Sequence, residues 1–179
     1  MLIPQAAWQP QPWKNGRGIT HEIWRHRRAT SAAPLDGFDI RLSVAEIEGA
    51  QPFSLFAGYQ RVLVPLRDTT LVMQVAGQRV PMVTHQVLAF SGDVEASTVG
   101  EGTAIDLNII GRDFHAEIAM TQAQRAADRP VAVFALTQCT LRGTVAGAAV
   151  VQTLQPYDTW VVAPGAALVA DVPVVWIRF

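Results

Sequence analysis

Four histidines, one cysteine and fifteen carboxylates are the groups from which a metal site or an acid–base pair could be built. The histidines stand at positions 21, 26, 85 and 115, so no two are separated by a single residue, and no H-E-x-x-H run occurs. The usual zinc and iron ligand spacings are therefore missing, and neither a metal nor another cofactor is expected. Ser54, in Pro52-Phe53-Ser54-Leu55-Phe56, lacks the flanking glycines of a nucleophile elbow. Cys139 lies among strand-forming apolar residues and reads as a buried, inert thiol. Glu22, His21 and Asp106 are the candidate catalytic groups, and nothing in the sequence separates their pKa values.

Arginine offers sharper chemistry. Phe38 to Ala45 alternates, placing Ile40, Leu42 and Val44 on one face and Arg41, Ser43 and Ala45 on the other. In a closed barrel one such face points inward. A buried guanidinium with no partner is costly, so Arg41 either meets an internal carboxylate (Glu22, Asp93 or Asp106) or grips an anion with its two-pronged fork. Arg61, just after the Gly58-Tyr59 turn, invites the same argument. Asp106 and Asn108 share a face by spacing and offer an acceptor and an amide. Asn15-Gly16 suits a tight turn with positive φ, but a turn alone calls for neither Trp13 nor Lys14. The segment does not match a phosphate-binding P-loop. Lys14, Asn15, Glu22, Arg41, Ser43, Arg61, Asp106 and Asn108 are thus the candidate ligand contacts.

The elements that must carry these residues are strands. Short apolar or alternating segments at 20–25, 38–45, 60–65, 70–75, 80–83, 86–90, 95–99 and 104–110 are separated by Gly, Pro, Asp or Asn. Others follow at 131–136, 140–145, 150–154, 159–162, 167–170 and 174–179. Many short, evenly spaced strands predict a sandwich or barrel. Only 117–129 has helix-forming composition, ending at Pro130, and it is expected as a short helix or linker between halves. The halves look alike. T-L-x-x-x-V-A-G-x-x-V at Thr70–Val80 recurs at Thr140–Val150, and Ile105-Asp106-Leu107 falls opposite Val175-Trp176-Ile177 at the same offset of 70.

Composition sets outer limits. Of 179 residues half are hydrophobic and 16% charged, with a net charge of −1. Without a basic face, no nucleic-acid partner is expected, and Trp8, Trp13 and Trp24 read as packing or pocket wall. No apolar run is long enough to span a bilayer, and Pro4, Pro10 and Pro12 interrupt the stretch a signal peptide would need. With a single cysteine as well, a cytoplasmic location is the expectation. Thirteen of the fourteen basic residues are arginine, and Lys14 is the only lysine. Eight charged residues fall from Glu117 onward against 21 before it, which makes the C-terminal half a scaffold and a candidate surface for a homodimer or other partner.

Three segments resemble the HutD/Ves family. Pro12-Trp13-Lys14-Asn15-Gly16-Arg17-Gly18-Ile19-Thr20-His21-Glu22-Ile23 is similar to its PWKNGxGxTxEI motif. Arg41 to Ala45 followed by Pro52 to Arg61 resembles WRxSxA…GPFSxFxGxxR, with Ile40 in place of Trp and Gln51 in place of Gly. Phe90-Ser91-Gly92-Asp93, then Asp106-Leu107-Asn108 and Arg112, resembles FxGD…DLNxxxR. The resemblance implies an all-β, cupin-like (RmlC-like) double β-barrel, or bicupin, of bacterial type. The expected division is 1–116, an N-terminal barrel with the ligand pocket, and 117–179, a smaller C-terminal barrel. It also implies a regulatory or ancillary role in histidine utilisation, with a small carboxylate such as urocanate or formiminoglutamate as ligand. A metal-independent isomerase, lyase or hydrolase and a stress-related interaction module are the alternatives.

Overall fold

The computed structural model describes residues 1–28, 37–121 and 129–179. They form seventeen strands, with one 3-10 turn at Gln5–Ala7. Two compact units emerge: Gln9–Asp113, and Met1–Trp8 together with Phe114–Phe179. Strand β1 (Leu2–Ile3) belongs to the second unit.

The Gln9–Asp113 unit holds two sheets. Six strands lie in the order β2 (Gln9–Pro12), β3 (Gly18–His26), β4 (Ile40–Glu48), β11 (Thr103–Gly111), β6 (Gln60–Pro65) and β9 (Leu88–Ser91). Four more lie in the order β5 (Gln51–Pro52), β10 (Ala96–Val99), β7 (Val72–Val75) and β8 (Gln78–Pro81). Ile47 and Leu63 from the first sheet and Met73 and Ala96 from the second belong to one buried cluster. Each such Ile, Leu or Met contributes roughly 1.5–3 kcal/mol on burial. The opposite face of β4 and β11 is buried too, through Leu42, Val44, Leu107 and Ile109. These central strands therefore read as near-continuous apolar runs, and a charged residue within them stands out.

The second unit is one seven-stranded sheet. Its order is β1, β16 (Thr159–Val162), β13 (Val131–Phe134), β17 (Ala167–Arg178), β14 (Cys139–Val145) and β15 (Ala148–Leu154), with β12 (His115–Thr121) also paired to β17. The expected strands at 167–170 and 174–179 are one twelve-residue strand. The first eight residues fall with this unit because Leu2 and Ile3 pair with Trp160 and Thr159, a long-range partnership that linear reading does not reveal.

The helix expected at 117–129 is not what residues 117–121 form. Glu117, Ile118 and Ala119 pair with Trp176, Val175 and Val174, so the hydrogen bonds offered by β17 override helix-forming composition. Residues 122–128 lie outside the described ones. The internal repeat has a physical counterpart. The hairpins β7–β8 and β14–β15 turn through Ala76-Gly77 and Ala146-Gly147, with φ of 47° and 80° in the first and 49° and 81° in the second. Two consecutive positive φ values suit the right-handed twist of a two-residue hairpin, and the Gly accepts one of them without strain. The matched central strands also correspond, β11 lying between β4 and β6 and β17 between β13 and β14.

Candidate functional site: an arginine-lined cavity

Three adjacent strands of the six-stranded sheet present polar side chains to one cavity. Antiparallel register sets Ile110 of β11 between Arg41 of β4 and Arg61 of β6. The next row is Ser43, Asn108 and Leu63, and the next Ala45, Asp106 and Pro65. Directly paired residues share a face, so the alternation of β4 and that of β11 converge on the same interior. Arg41, Ser43, Arg61 and Asn108 line a cavity of about 510 Å³.

The loop after β5 supplies an aromatic wall. The Arg41 guanidinium lies 5.3 Å from the Phe38 ring centre and 5.4 Å from that of Phe56. Arg61 lies 5.0, 5.7 and 5.2 Å from the rings of Phe53, Phe56 and Phe90. Phe56 thus touches both cations, and flat guanidinium faces stack well on aromatic rings. The loop is held by the Ser91-Gly92-Asp93 turn. Phe56 N–H donates to the Gly92 carbonyl (2.9 Å), Gly92 N–H to the Tyr59 carbonyl (2.8 Å) and Gly58 N–H to Asp93 Oδ1 (3.0 Å). A Cβ on Gly92 would sit 2.3 Å from the Phe56 carbonyl oxygen, so only glycine permits this approach. The Gly58 N–H and the Ser91 hydroxyl hold the Asp93 carboxyl below its usual range, which marks it as a loop staple rather than a partner for Arg41.

A buried relay runs below the cavity. Arg61 Nη1 donates to the Ser54 carbonyl at 3.2 Å and Nη2 to Asn108 Oδ1 at 3.1 Å. Asn108 Nδ2 in turn donates to Asp106 Oδ1, while Asp106 Oδ2 and Arg61 Nε have no hydrogen-bond partner. Burial pushes the Asp106 carboxyl up to about 7 against the pull of Arg61. Burial likewise brings Arg61 down to about 10, with Asp106 opposing the shift and Arg41 adding to it. Two guanidiniums thus neighbour a buried acid whose ionisation burial opposes.

The mouth is built by the β2–β3 turn. Gly16 has a φ of 70°, and a Cβ on Gly18 would lie 2.7 Å from the Trp13 ring. Trp13 packs into that space and donates to Thr20 Oγ1 at 2.8 Å. Asn15 accepts from Arg17 N–H (3.1 Å) and donates to Gln51 Oε1 (2.8 Å), so its amide is spent on holding the turn to β5. Lys14 is exposed on the cavity lining.

The other sequence candidates lie apart. Glu22 pairs in register with Ser43, but its carboxylate is taken by Arg25 at 2.7 and 2.6 Å. The bulge between Glu22 and Trp24 brings residues three apart onto one face and makes that pairing possible. His21 is in register with Val44, on the face of β4 opposite Arg41, and meets Glu46 at 2.8 Å. Glu22, His21 and Asp106 are therefore not assembled as one acid–base group. Burial pushes the Cys139 thiol up to about 11, with Asp171 adding to it. The aromatic wall of Phe53 and Phe56 is not among the residues singled out from the sequence, although the aromatic spacing in Pro-Phe-Ser-Leu-Phe is its signal. Among the described residues no three His, Cys, Asp or Glu side chains are grouped to hold a metal ion. The cavity lining offers cations and amides, a donor set that does not fit a metal.

An all-β, cupin-like fold that opens an arginine-lined cavity in one unit defines the class of this protein. At the level of fold alone, it resembles the bacterial pirin YhhW from Escherichia coli, solved with nickel(II), with a TM-score of 0.61 at 11% identity over 100% of this chain and 98% of that one. The chain belongs to the HutD family, whose model matches residues 5–174. It is 45% identical over 111 residues to an uncharacterised 21.2 kDa protein in the hutC 3′ region of Pseudomonas putida, covering 61% of this chain and 56% of that one. It is 34% identical over 125 residues to protein Ves of Citrobacter koseri, covering 68% and 61%. The aligned stretches thus span less than two thirds of those relatives. HutD from Pseudomonas fluorescens SBW25 superposes with a TM-score of 0.76 at 28% identity, over 99% of this chain and 96% of that one. Among the described residues no helix is long and apolar enough to cross a membrane.

Proposed function

We propose that this protein binds a small carboxylate metabolite in the Gln9–Asp113 cavity and serves histidine utilisation in the cytoplasm as a regulatory or ancillary component. One observation carries the reading: Arg41 and Arg61 both lie within cation–π distance of Phe56, at 5.4 and 5.7 Å, and line a cavity whose nearby acid, Asp106, is pushed toward neutrality. Such a site attracts an anion with planar, two-oxygen geometry, and the fork of arginine suits a carboxylate. Its volume of about 510 Å³ lies within the range of small-ligand sites. The phenyl wall favours a ligand with an apolar or planar body, which fits urocanate or formiminoglutamate. The histidine-utilisation link rests on the names of the relatives, HutD and the hutC-region protein. We also read the two units as duplicated cupin-like barrels, supported by the two hairpins at an offset of 70.

The test is thermal stabilisation by a panel of histidine-pathway acids. A ligand at about a hundred times its Kd adds ~2.7 kcal/mol, which for a chain of this size is a melting shift of roughly 5–11 °C. The absence of any shift at millimolar concentration would overturn the carboxylate reading. An unchanged response in Arg41→Ala would remove Arg41 from the site.

A further inference from the structure

The carboxylate deepest in the Gln9–Asp113 unit is Asp106, which is fully buried and does not line the cavity. It reaches the cavity only through an amide. Asn108 donates its Nδ2–H to Asp106 and accepts at Oδ1 from Arg61, so the two ends of one side chain join a buried acid to a cavity-lining cation. The other Asp106 oxygen has no hydrogen-bond partner, an arrangement that suits a carboxyl holding a proton better than a naked carboxylate. The surroundings supply little else. In register, β4 presents Ala45 and β6 presents Pro65, and the buried cluster is apolar, with Met73 and Ala96 from the facing strands and Leu71 just before β7. Arg61 is the charge that acts on Asp106, and Arg41 acts on Arg61. Glu46 and Glu48 alternate onto the other face of β4, and Glu22 is held by Arg25.

We propose that Asp106 is a positioning residue that ties anion binding to proton uptake, so that an acid enters the cavity together with one proton taken from solvent and kept on Asp106. The proposal rests on the carboxylate reading above. An incoming carboxylate competes with ionised Asp106 for the Arg61 charge, and at short range in a poorly screened interior the two anions repel. Protonating Asp106 removes both conflicts and leaves Arg61, still fixed by Asn108 and the Ser54 carbonyl, to face the ligand. The coupling is reciprocal: binding raises the proton affinity of Asp106, and proton loss weakens binding.

Isothermal titration with glutarate and with formiminoglutamate, across about pH 5.5–8.5 and in buffers of different ionisation heat, tests this directly. Wild-type affinity is expected to fall by up to tenfold per pH unit above the Asp106 midpoint, with proton uptake rising from near zero toward one per ligand. In Asp106→Asn, which keeps the acceptor for Asn108 and removes the titration, the slope and the uptake should vanish. A carbon-13 titration of the aspartate carboxyls in wild-type protein supplies a readout that needs no variant, and the Asp106 midpoint should move upward when ligand is added. Binding without proton uptake, an unmoved midpoint, or undiminished uptake in Asp106→Asn would each overturn the coupling while leaving the carboxylate reading intact. No heat from either acid at any pH, together with no thermal shift from urocanate, is the failure of the carboxylate reading itself, and the coupling falls with it.

Discussion

The central strands β11 and β17 occupy corresponding places in their units, and at an offset of 70 Asp106 corresponds to Trp176. Trp176 is fully buried, belongs to a cluster with Val133, Leu141 and Leu168, and gives its indole N–H to the Ala119 carbonyl at 3.0 Å. Asp106 is equally buried but lies in the unit that opens a cavity of about 510 Å³. The same strand position is therefore filled by the largest side chain in one unit and by an acid in the other. The fold is satisfied by the first solution. The second leaves a charge short of hydrogen bonds, which costs stability and so points to a use beyond folding.

If the Trp176 unit is the load of packing and the Asp106 unit the seat of binding, substitutions at the two positions should behave oppositely. Trp176→Ala removes a fully enclosed indole and leaves its volume empty, so it should cost about 3–5 kcal/mol and lower Tm by roughly 6–20 °C. Differential scanning calorimetry decides it, and a loss below about 1 kcal/mol would break the comparison. Asp106→Asn should stabilise instead, with a definite pH dependence. The folded-state carboxyl holds its proton to about pH 7, whereas the unfolded chain releases it near ~3.9. Between those values the folded state binds more protons, so wild-type stability falls as pH rises through the window and stays lower above it. Three pKa units correspond to roughly 4 kcal/mol. The stability gap between Asp106→Asn and wild type should therefore widen by up to about that amount from pH 4 to pH 7 and then level, as urea unfolding at several pH values would show.

This contrast was half legible in the sequence. Alternation along 38–45 placed Arg41 and Ser43 on one face, and spacing alone put Asp106 beside Asn108, because period-two patterning is a local property of the strand. That β11 lies between β4 and β6 is not local, so the sequence could not show that Asn108, rather than a carboxylate, receives Arg61. Parity also separates His21 from Glu22, two of the candidate catalytic groups, since neighbours on a strand face opposite ways. The T-L-x-x-x-V-A-G repeat survived into two equal hairpins because Ala-Gly turn chemistry is written in adjacent residues. Residues 117–121 misled for the opposite reason, since only the distant β17 makes them a strand.

Effects at the cavity should be smaller than those in the packed interior. Arg41→Gln keeps much of the stem and an amide but removes the charge and the fork, so carboxylate affinity should fall roughly 10- to 150-fold. The folded structure should persist, because this residue lies at a half-buried cavity wall. Titration calorimetry checks the ratio, and equal affinity would move the anion site elsewhere. Gly18→Ala acts on the turn instead. Its Cβ would meet the Trp13 ring at 2.7 Å and the Glu46 carbonyl at 2.8 Å, and only the ring can give way. A loss of about 1–3 kcal/mol is expected, together with weakening of the Trp13–Thr20 hydrogen bond, visible as a change in indole fluorescence.

Lys14 is the case where sequence and structure weigh the same residue differently. As the only lysine of the chain, inside the family motif, it invites a leading role. The structure gives it an exposed place on the cavity lining, where water screens its charge and its long stem is costly to order. Its contribution should then be attraction at the entrance more than grip on the bound anion. Lys14→Ala is expected to weaken carboxylate binding by no more than about fivefold, under ~1 kcal/mol, mainly through slower association. The difference should fade as ionic strength rises from about 0.01 M to 0.5 M, because the screening length shrinks below the distance across such a mouth. Arg41→Gln should keep its deficit across the same range, since a half-buried cation is screened far less. Stopped-flow association at several salt concentrations separates the two. A salt-independent Lys14 deficit as large as that of Arg41 would put the lysine in direct contact with the ligand and extend the binding surface out to the turn.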